Sequence, residues 1–333
     1  MEAWVCHVPA DTTSPWYMGL PARREVSAEW FADRVAERVP TFVETVSGGR
    51  LRLDIATGGE LTLAADEGAE ECIDRVVAEV ADSTRAVVVI ADAEHAEGKP
   101  GGLGGALARD SSASAGPRGV GYAYVGAADV APTWGDDPPM DLVEHELGHA
   151  LGWHHSGSST DAYDSALDVM SDSAAPRSVD PMRRDAQWPI AAHLVASGWI
   201  EMDEVLWVDP VPGGSTSAVL DPLSSQGGRR VVVLPVPGRD DVVLTIERRE
   251  PVGYDSHLAP GGLAVHRVEF GTGSVGAADP SSIDWSAVVS IVPLVGSSPF
   301  ADLLIPGESI DTDGWTIVAG DGGQVTVGLV SGT

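Results

Sequence analysis

The sequence predicts an α+β protein in two parts, because two patterns of apolar residues follow one another along its 333 residues. Up to about residue 203, segments with helical apolar spacing alternate with short β-branched runs. Beyond that point only short β-branched runs separated by proline and glycine remain, which is typical of an all-β domain. We therefore expect one domain over residues 1–203 and a β-rich, sandwich-like domain over residues 204–333.

The composition excludes several classes of function. Apolar residues make up 43% of the chain and charged residues 21%, as in globular proteins. Twenty basic residues against fifty acidic ones give a net charge of −30, which repels nucleic acid and anionic lipid. No uncharged apolar run reaches the ~20 residues of a membrane-spanning helix. We expect a monomer with neither a nucleic-acid partner nor a membrane-inserted segment.

The first elements follow from local spacing and turn signals. Apolar residues recur every four positions after Ser27, so we expect Ser27 to cap a helix that runs to about Val39 and ends before Pro40. Residues 51–55 alternate between apolar and charged side chains and predict a half-buried strand. Residues 86–91 are continuously apolar and predict a buried strand.

The remaining elements of the first part are predicted in the same way. Helical spacing indicates helices over residues 69–81, from after residue 139 to residue 152, and over residues 185–197. Residues 99–119 are rich in glycine, serine and alanine and predict a surface loop, whereas residues 120–126 alternate and predict a strand.

The second part contains seven predicted strands. Each is a short β-branched run between turn signals. They cover residues 205–208, 230–236, 242–246, 263–268, 288–292, 316–318 and 325–329.

One segment carries most of the chemical information. His145 and His149 lie four residues apart on a predicted helix, so both imidazoles lie on one face and can reach one Zn²⁺. Glu146 follows the first histidine and can accept a proton from a water activated by the metal. Gly152 permits a sharp turn that returns His155 as a third ligand. Three protein ligands leave one position open, as in catalytic zinc sites.

The string His145-Glu-Leu-Gly-His149-Ala-Leu-Gly152-Trp-His-His155 resembles the signature of the metzincin clan of zinc metallopeptidases. The resemblance implies that His145, His149 and His155 hold one catalytic Zn²⁺ and that Glu146 is the general base. It also implies a twisted mixed sheet with an antiparallel edge strand, an active-site helix, and a methionine in a tight turn beneath the metal. Met170 is the candidate for this Met-turn.

Several positions near the signature leave alternatives open. Met182 is a second candidate for the Met-turn, and His154 could replace His155 only if the turn were one residue tighter. Asp172 stands where the astacin and serralysin branches usually have a tyrosine, which disfavours those branches. Residues 120–126 lie where the family's edge strand is expected, and such a strand could pair with an extended peptide.

A second resemblance concerns the later part of the chain. Residues 193–199, 245–249, 254–255 and 261–268 resemble the region that follows the catalytic domain in gametolysin-like and immune-inhibitor-A-like peptidases. This resemblance suggests a subfamily and adds no catalytic residue.

The expected function is zinc-dependent hydrolysis of peptide bonds, with a protein or peptide as substrate. Two alternatives are a zinc-containing binding or adhesion module without activity, and a zinc hydrolase of a non-peptide substrate. Glu146 argues against the first, because a binding module needs no general base. Three acidic residues between the third histidine and Met170 could orient the ligands, bind Ca²⁺ or solvate a loop, and the loop role is favoured; they are Asp161, Asp164 and Asp168.

The two cysteines and the N-terminus bear on the compartment. Cys6 and Cys72 are either two idle thiols or one disulfide. The chain does not begin with a basic start followed by an apolar stretch, so no signal peptide is visible. The family resemblance nevertheless implies an extracellular, secreted enzyme.

Overall fold

The computed structural model describes residues 1–10, 16–17, 20–21, 23–93, 101–108, 119–130, 134–158, 160–271, 283–294 and 303–330. In this part of the chain the fold is mixed α+β, with three sheets of four or five strands, one two-stranded hairpin and five α-helices. The chain packs as two compact units, Met1–Gly152 with Met182–Ala186, and Trp153–Pro181 with Gln187–Thr333. The domain boundary at residue 203 stays a prediction.

A five-stranded mixed sheet forms the centre of the first unit. Its strands are β1 (Glu2–His7), β4 (Ala56–Thr62), β5 (Ala86–Ala91), β6 (Leu103–Ala108) and β7 (Gly119–Val125), and a short hairpin is formed by β2 (Trp16–Tyr17) and β3 (Leu20–Pro21). The strand order is β4-β1-β5-β7-β6. The first four strands are parallel and β6 pairs antiparallel with β7, so the expected mixed sheet with an antiparallel edge strand is confirmed.

The identity of the edge strand corrects the sequence prediction. Residues 120–126 were expected at the edge, but β7 lies inside the sheet between β5 and β6. The edge strand is instead β6, within the segment predicted as a surface loop. Its glycines and alanines have low strand propensity, so local sequence gave no strand signal. Residues 99–100 and 109–118 of the predicted loop lie outside the described residues.

Three helices accompany this sheet: α1 (Ala28–Val46), α2 (Ala69–Glu79) and α3 (Asp141–Ala150). The Ser27 side chain accepts a hydrogen bond from the Trp30 amide, so the predicted cap is confirmed. The predicted end before Pro40 is wrong, because α1 continues through the proline. Burial of Phe42 and other apolar residues in the last turns outweighs the hydrogen bond that the proline removes.

The strand predicted over residues 51–55 is also wrong. The chain forms β4 five residues later, where it pairs with β1. Gly58 and Gly59 lie against the Trp4 indole, and a Cβ at either position would come within 2.6 Å of it. Pairing and close packing on Trp4 therefore decide this strand, against its weak local propensity.

The two cysteines are joined by a disulfide. Cys6 lies on β1 and Cys72 on α2, and both are fully buried. Of the two alternatives from the sequence, the structure selects the bonded pair.

The second unit contains two sheets with a common apolar core. One sheet contains β8 (Val205–Trp207), β10 (Val231–Pro235), β11 (Val242–Arg249), β12 (Gly262–Phe270) and β13 (Val288–Pro293), in the order β13-β12-β11-β10-β8. The other contains β9 (Ser215–Val219), β14 (Ser309–Thr312), β15 (Trp315–Ala319) and β16 (Gln324–Leu329), in the order β14-β15-β16-β9. All seven predicted strands are present, and the polar strands β9 and β14 were missed.

The shared core of these two sheets explains why their buried strands could be recognised as β-branched, apolar runs in the sequence. Leu244 and Ile246 from the first sheet pack in one cluster with Trp315 and Ile317 from the second. Each sheet turns one face to this cluster, as in a sandwich.

The remaining helices of the second unit are short: α4 (Ala175–Val179) and α5 (Ala191–Ala196). The helix predicted over residues 185–197 begins six residues late, because Pro189 disfavours helical backbone in the residue before it. It ends at Gly198, which has a φ of +67°. Across the described helices, none combines the length and the hydropathy needed to cross a membrane.

Candidate metal centre

Helix α3 positions the first two histidines of the signature. Asp141 lies in its first turn, where a carboxylate complements the helix dipole. Buried Leu147 anchors the helix. His145 and His149 follow one another on one face, with ring centroids 5.0 Å apart and planes at 81°. The predicted helix and its pair of imidazoles are therefore present.

A glycine turn ends the helix and redirects the chain. The Gly152 amide donates to the His149 carbonyl over 3.0 Å, and Gly152 has a φ of +87°. A Cβ at this position would meet no atom within 4 Å, so the glycine is needed for its backbone conformation and not for space. Three residues later the chain reaches His155.

The three histidines converge. One ring nitrogen each from His145, His149 and His155 lies within 4.8 Å of the others, and this cluster could hold a metal ion. His154 is not a member, in agreement with the predicted turn length. Among the described residues no other group of three His, Cys, Asp or Glu side chains meets the same condition.

Glu146 lies beside this cluster and is nearly removed from solvent. Its exposed fraction is 4%. Burial, and to a lesser extent the Asp129 carboxylate, raise the pKa of Glu146 to about 8. The segment that leads into β6 covers the carboxylate, because a Cβ at Gly102 would lie 2.1 Å from Oε1 of Glu146. A proton acceptor is thus held in a dry position next to the histidines.

Tyr163 is a residue of this site that the sequence did not indicate. Its Oη lies 3.2 Å from Nε2 of His155, and the two rings are 4.8 Å apart. The Tyr163 amide donates to Oδ1 of Asp161. Tyrosine is absent from the eleven-residue signature, and no spacing rule connects position 163 to position 155, so sequence reasoning had no signal for it.

Met170 lies in a tight turn, as expected of the predicted Met-turn. The Ser171 amide donates to the Asp168 carbonyl over 3.0 Å, and the Met170 side chain is fully buried. Met182, the alternative, is 72% exposed and does not fit a buried apolar floor. The Ser156 amide donates to the Met170 carbonyl, so the residue after the third histidine is tied to this turn.

Asp168 is the acceptor that connects the turn to its surroundings. Its carboxylate accepts hydrogen bonds from the Ser156 hydroxyl, Nε2 of His193 and the Ile190 amide. Burial alone would raise the pKa of Asp168, but the charge and hydrogen bond of His193, with those of Ser156 and the Met170 amide, lower it below its usual value. Asp168 is therefore a buried carboxylate that accepts several hydrogen bonds.

The other two acidic residues of the group, Asp161 and Asp164, accept backbone amides of their own loop. This agrees with the favoured loop role. None of the three belongs to a metal-compatible cluster among the described side chains, and a calcium site gains no support.

The histidines outside the signature were expected to be exposed or hydrogen-bonded. His193 pairs with Asp168, and His7 lies between the carboxylates of Asp92 and Glu60. His266 is a correction: it is 1% exposed, and neither ring nitrogen has a hydrogen-bond partner in the described part of the chain. Burial keeps it neutral and lowers its pKa to about 3. His95 lies outside the described residues.

The chain matches none of the protein families with which it was compared, and no curated protein matches it.

Proposed function

We propose that the protein is a zinc-dependent endopeptidase of the metzincin type. The observation that carries the proposal is the convergence of His145, His149 and His155 beside the buried carboxylate of Glu146. A binding module requires the three ligands but not the carboxylate, so Glu146 favours hydrolysis.

The donor set fits zinc. Three imidazoles and an open fourth position are the ligand arrangement of catalytic zinc sites. When bound, the ion would polarise the substrate carbonyl and acidify a water. The three histidines would hold it, and the residue after His155, Ser156, is hydrogen-bonded through its amide to the carbonyl of the buried Met170.

Glu146 is the proposed general base. Burial raises the proton affinity of this carboxylate above that of an exposed glutamate, which suits a group that takes up a proton during attack. In the proposed reaction it takes the proton of the attacking water and delivers it to the nitrogen of the leaving amine. Peptide hydrolysis by this route needs no serine or cysteine nucleophile.

The edge strand supports a peptide as the substrate. β6 pairs with β7 on one side, and no other described strand pairs with its outer edge. An extended peptide could add to that edge by main-chain hydrogen bonds. The metzincin resemblance implies a mixed sheet with an antiparallel edge strand over the cleft, and β6 is an antiparallel edge strand in contact with α3. The role first assigned to residues 120–126 therefore passes to β6.

The proposed setting is extracellular. The buried Cys6–Cys72 disulfide suits an oxidising compartment. The two packed sheets of the second unit are compatible with the gametolysin-like or immune-inhibitor-A-like group, and the proposal includes membership of that group. We also propose that the enzyme acts as a monomer.

The first experiment replaces Glu146 by alanine and follows casein cleavage and bound zinc together. We expect the variant to retain about one zinc per chain and to lose turnover by roughly 10²–10⁴-fold, because it lacks the proton acceptor. Near wild-type cleavage by this variant, or a chain that binds no zinc, would refute the proposal.

A matched control is available on the same helix. Burial raises the pKa of Glu144 well above its usual range and so favours the neutral carboxyl, which glutamine resembles. Its Oε2 accepts the Ala186 amide, and a glutamine oxygen can accept the same bond. Glu144→Gln should therefore keep its activity. Inhibition by a peptide hydroxamate separates a peptidase from a hydrolase of other substrates.

A further inference from the structure

The closest packing in the proposed active site is between two glycines and Glu146. A Cβ at Gly102 would lie 2.1 Å from Oε1, 2.5 Å from Cδ and 2.6 Å from Cγ of Glu146. A Cβ at Gly104 would lie 2.2 Å from the Glu146 carbonyl oxygen and 2.7 Å from Cβ of His149. No side chain larger than hydrogen fits at either position without movement of the helix or of the carboxylate.

The reason for glycine here is space and not backbone conformation. Neither Gly102 nor Gly104 has a positive φ, whereas the preceding Gly101 has a φ of +119°. An alanine could adopt the backbone of Gly102 and Gly104 without strain. Close contacts with helix α3 exclude it, with the Glu146 side chain at Gly102 and with both Glu146 and His149 at Gly104. This sets these two positions apart from the turn glycine at 152.

The three closest contacts of a Cβ at Gly102 all involve the side chain of Glu146. A free glutamate has three rotatable side-chain bonds, and its carboxylate can turn away from a substrate. The backbone of residue 102 lies directly against this carboxylate and closes one side of the space through which it could turn. The 4% exposure of Glu146 shows that the remaining sides are also covered.

We propose that Gly102 and Gly104 are positioning residues, which let the edge strand press on helix α3 and thereby hold the Glu146 carboxylate in its proton-accepting orientation. The proposal rests on the function assigned to Glu146 above. The edge strand then has two roles. The unpaired edge of β6 is the proposed binding site for an extended peptide substrate, and Gly102 and Gly104 fix the orientation of the Glu146 carboxylate.

The two glycines differ in a way that allows a sharp test. Removal of the Glu146 side chain removes all three close contacts of a Cβ at Gly102. It does not remove the contacts of a Cβ at Gly104 with the helix backbone and with His149. Glu146→Ala should therefore rescue an alanine at position 102 and fail to rescue one at position 104.

The first measurement is the melting temperature of the metal-free protein. Gly102→Ala should lower it in the wild-type background and leave it unchanged in the Glu146→Ala background, because overpacking disappears with the carboxylate. Gly104→Ala should lower it in both backgrounds. Equal shifts for Gly102→Ala in the two backgrounds would overturn the proposal.

The second measurement is turnover by the zinc-loaded enzyme. Gly102→Ala should reduce kcat by about 100-fold with little change in KM and in zinc content, because a displacement of ~1 Å at a reacting group has an effect of this size. Gly121→Ala is the matched control: it also faces α3, where its Cβ would lie 3.3 Å from Cβ of Ala150, and it should retain its activity. Wild-type kcat in Gly102→Ala would overturn the positioning role, whereas the proposed function fails if Glu146→Ala remains active or if the chain binds no zinc.

Discussion

The first two histidines and the third are held by different kinds of interaction. His145 and His149 depend on the period of helix α3, which is a local property of ten residues. His155 lies beyond the glycine turn, and its neighbour Ser156 is tied to Met170 and Asp168, twelve or more residues away. Two of the three candidate ligands therefore depend on local helix geometry, whereas the position of the third depends on contacts with distant residues.

The largest expected effect comes from the long-range contact of the third histidine. Asp168→Ala leaves buried His193 without its carboxylate and removes the acceptor of Ser156 and of the Ile190 amide. Breaking a buried pair of this kind costs about 3–5 kcal/mol. We expect this loss in urea unfolding and weaker zinc binding. Asp161→Ala, an exposed loop carboxylate, should cost less than ~1 kcal/mol.

The pH dependence of stability sharpens the same prediction. Because the folded-state pKa of Asp168 is lowered, its contribution is fully present above the unfolded value of ~3.9 and is lost as the pH falls through the folded value. The difference in stability between wild type and Asp168→Asn should therefore shrink below about pH 4. A constant difference down to acid pH would show that Asp168 is not ionised in the folded protein.

The next effect concerns the turn itself. Gly152→Ala places a Cβ on a backbone with φ of +87°, which costs about 1–2 kcal/mol. Gly49→Ala is the matched control, since Gly49 has a φ of +78° and equal free space but lies at the end of α1. Both variants should lose similar stability, and only Gly152→Ala should bind zinc more weakly, by roughly tenfold for each ~1.4 kcal/mol of lost affinity. Equal zinc affinity in both would show that the turn does not position His155.

The smallest effect is expected at Tyr163. Tyr163→Phe removes one hydrogen bond to His155 at a half-exposed position and keeps the ring contact at 4.8 Å. We expect the metal-free protein to lose ~0.5–1 kcal/mol in urea unfolding. Tyr163→Ala should lose more, because the ring contact also disappears. Identical stability of the two variants would show that the ring does not support His155.

Elements whose residues carry their own signal were predicted correctly. The strand Ala86–Ala91 and the helix Ala69–Glu79 follow from continuous or periodic apolar residues, and the sandwich strands from β-branched runs between turns. The histidine helix and the glycine turn belong to this group, since spacing on a helix and positive φ at glycine are local properties.

Elements decided by a distant partner were missed or displaced. β6 has the composition of a loop. β4 begins five residues after the start of the predicted strand, directly beyond its end. Helix α1 passes through Pro40 because its later turns are buried. In each case tertiary packing outweighed a local preference of ~1 kcal/mol or, at the proline, ~3 kcal/mol.

Residue types and short spacings were sufficient to predict the α+β class, the all-β second part, the three histidines of the candidate metal centre and Glu146 next to the first of them. The folded structure was needed to show that Cys6 and Cys72 are bonded, that Gly102 and Gly104 pack on Glu146, and that Ser156, the residue after the third histidine, donates to Asp168. Each of these features is a contact between residues that are far apart in the sequence. Such contacts form only when the apolar core packs, so the spacing of residues along the chain does not predict them.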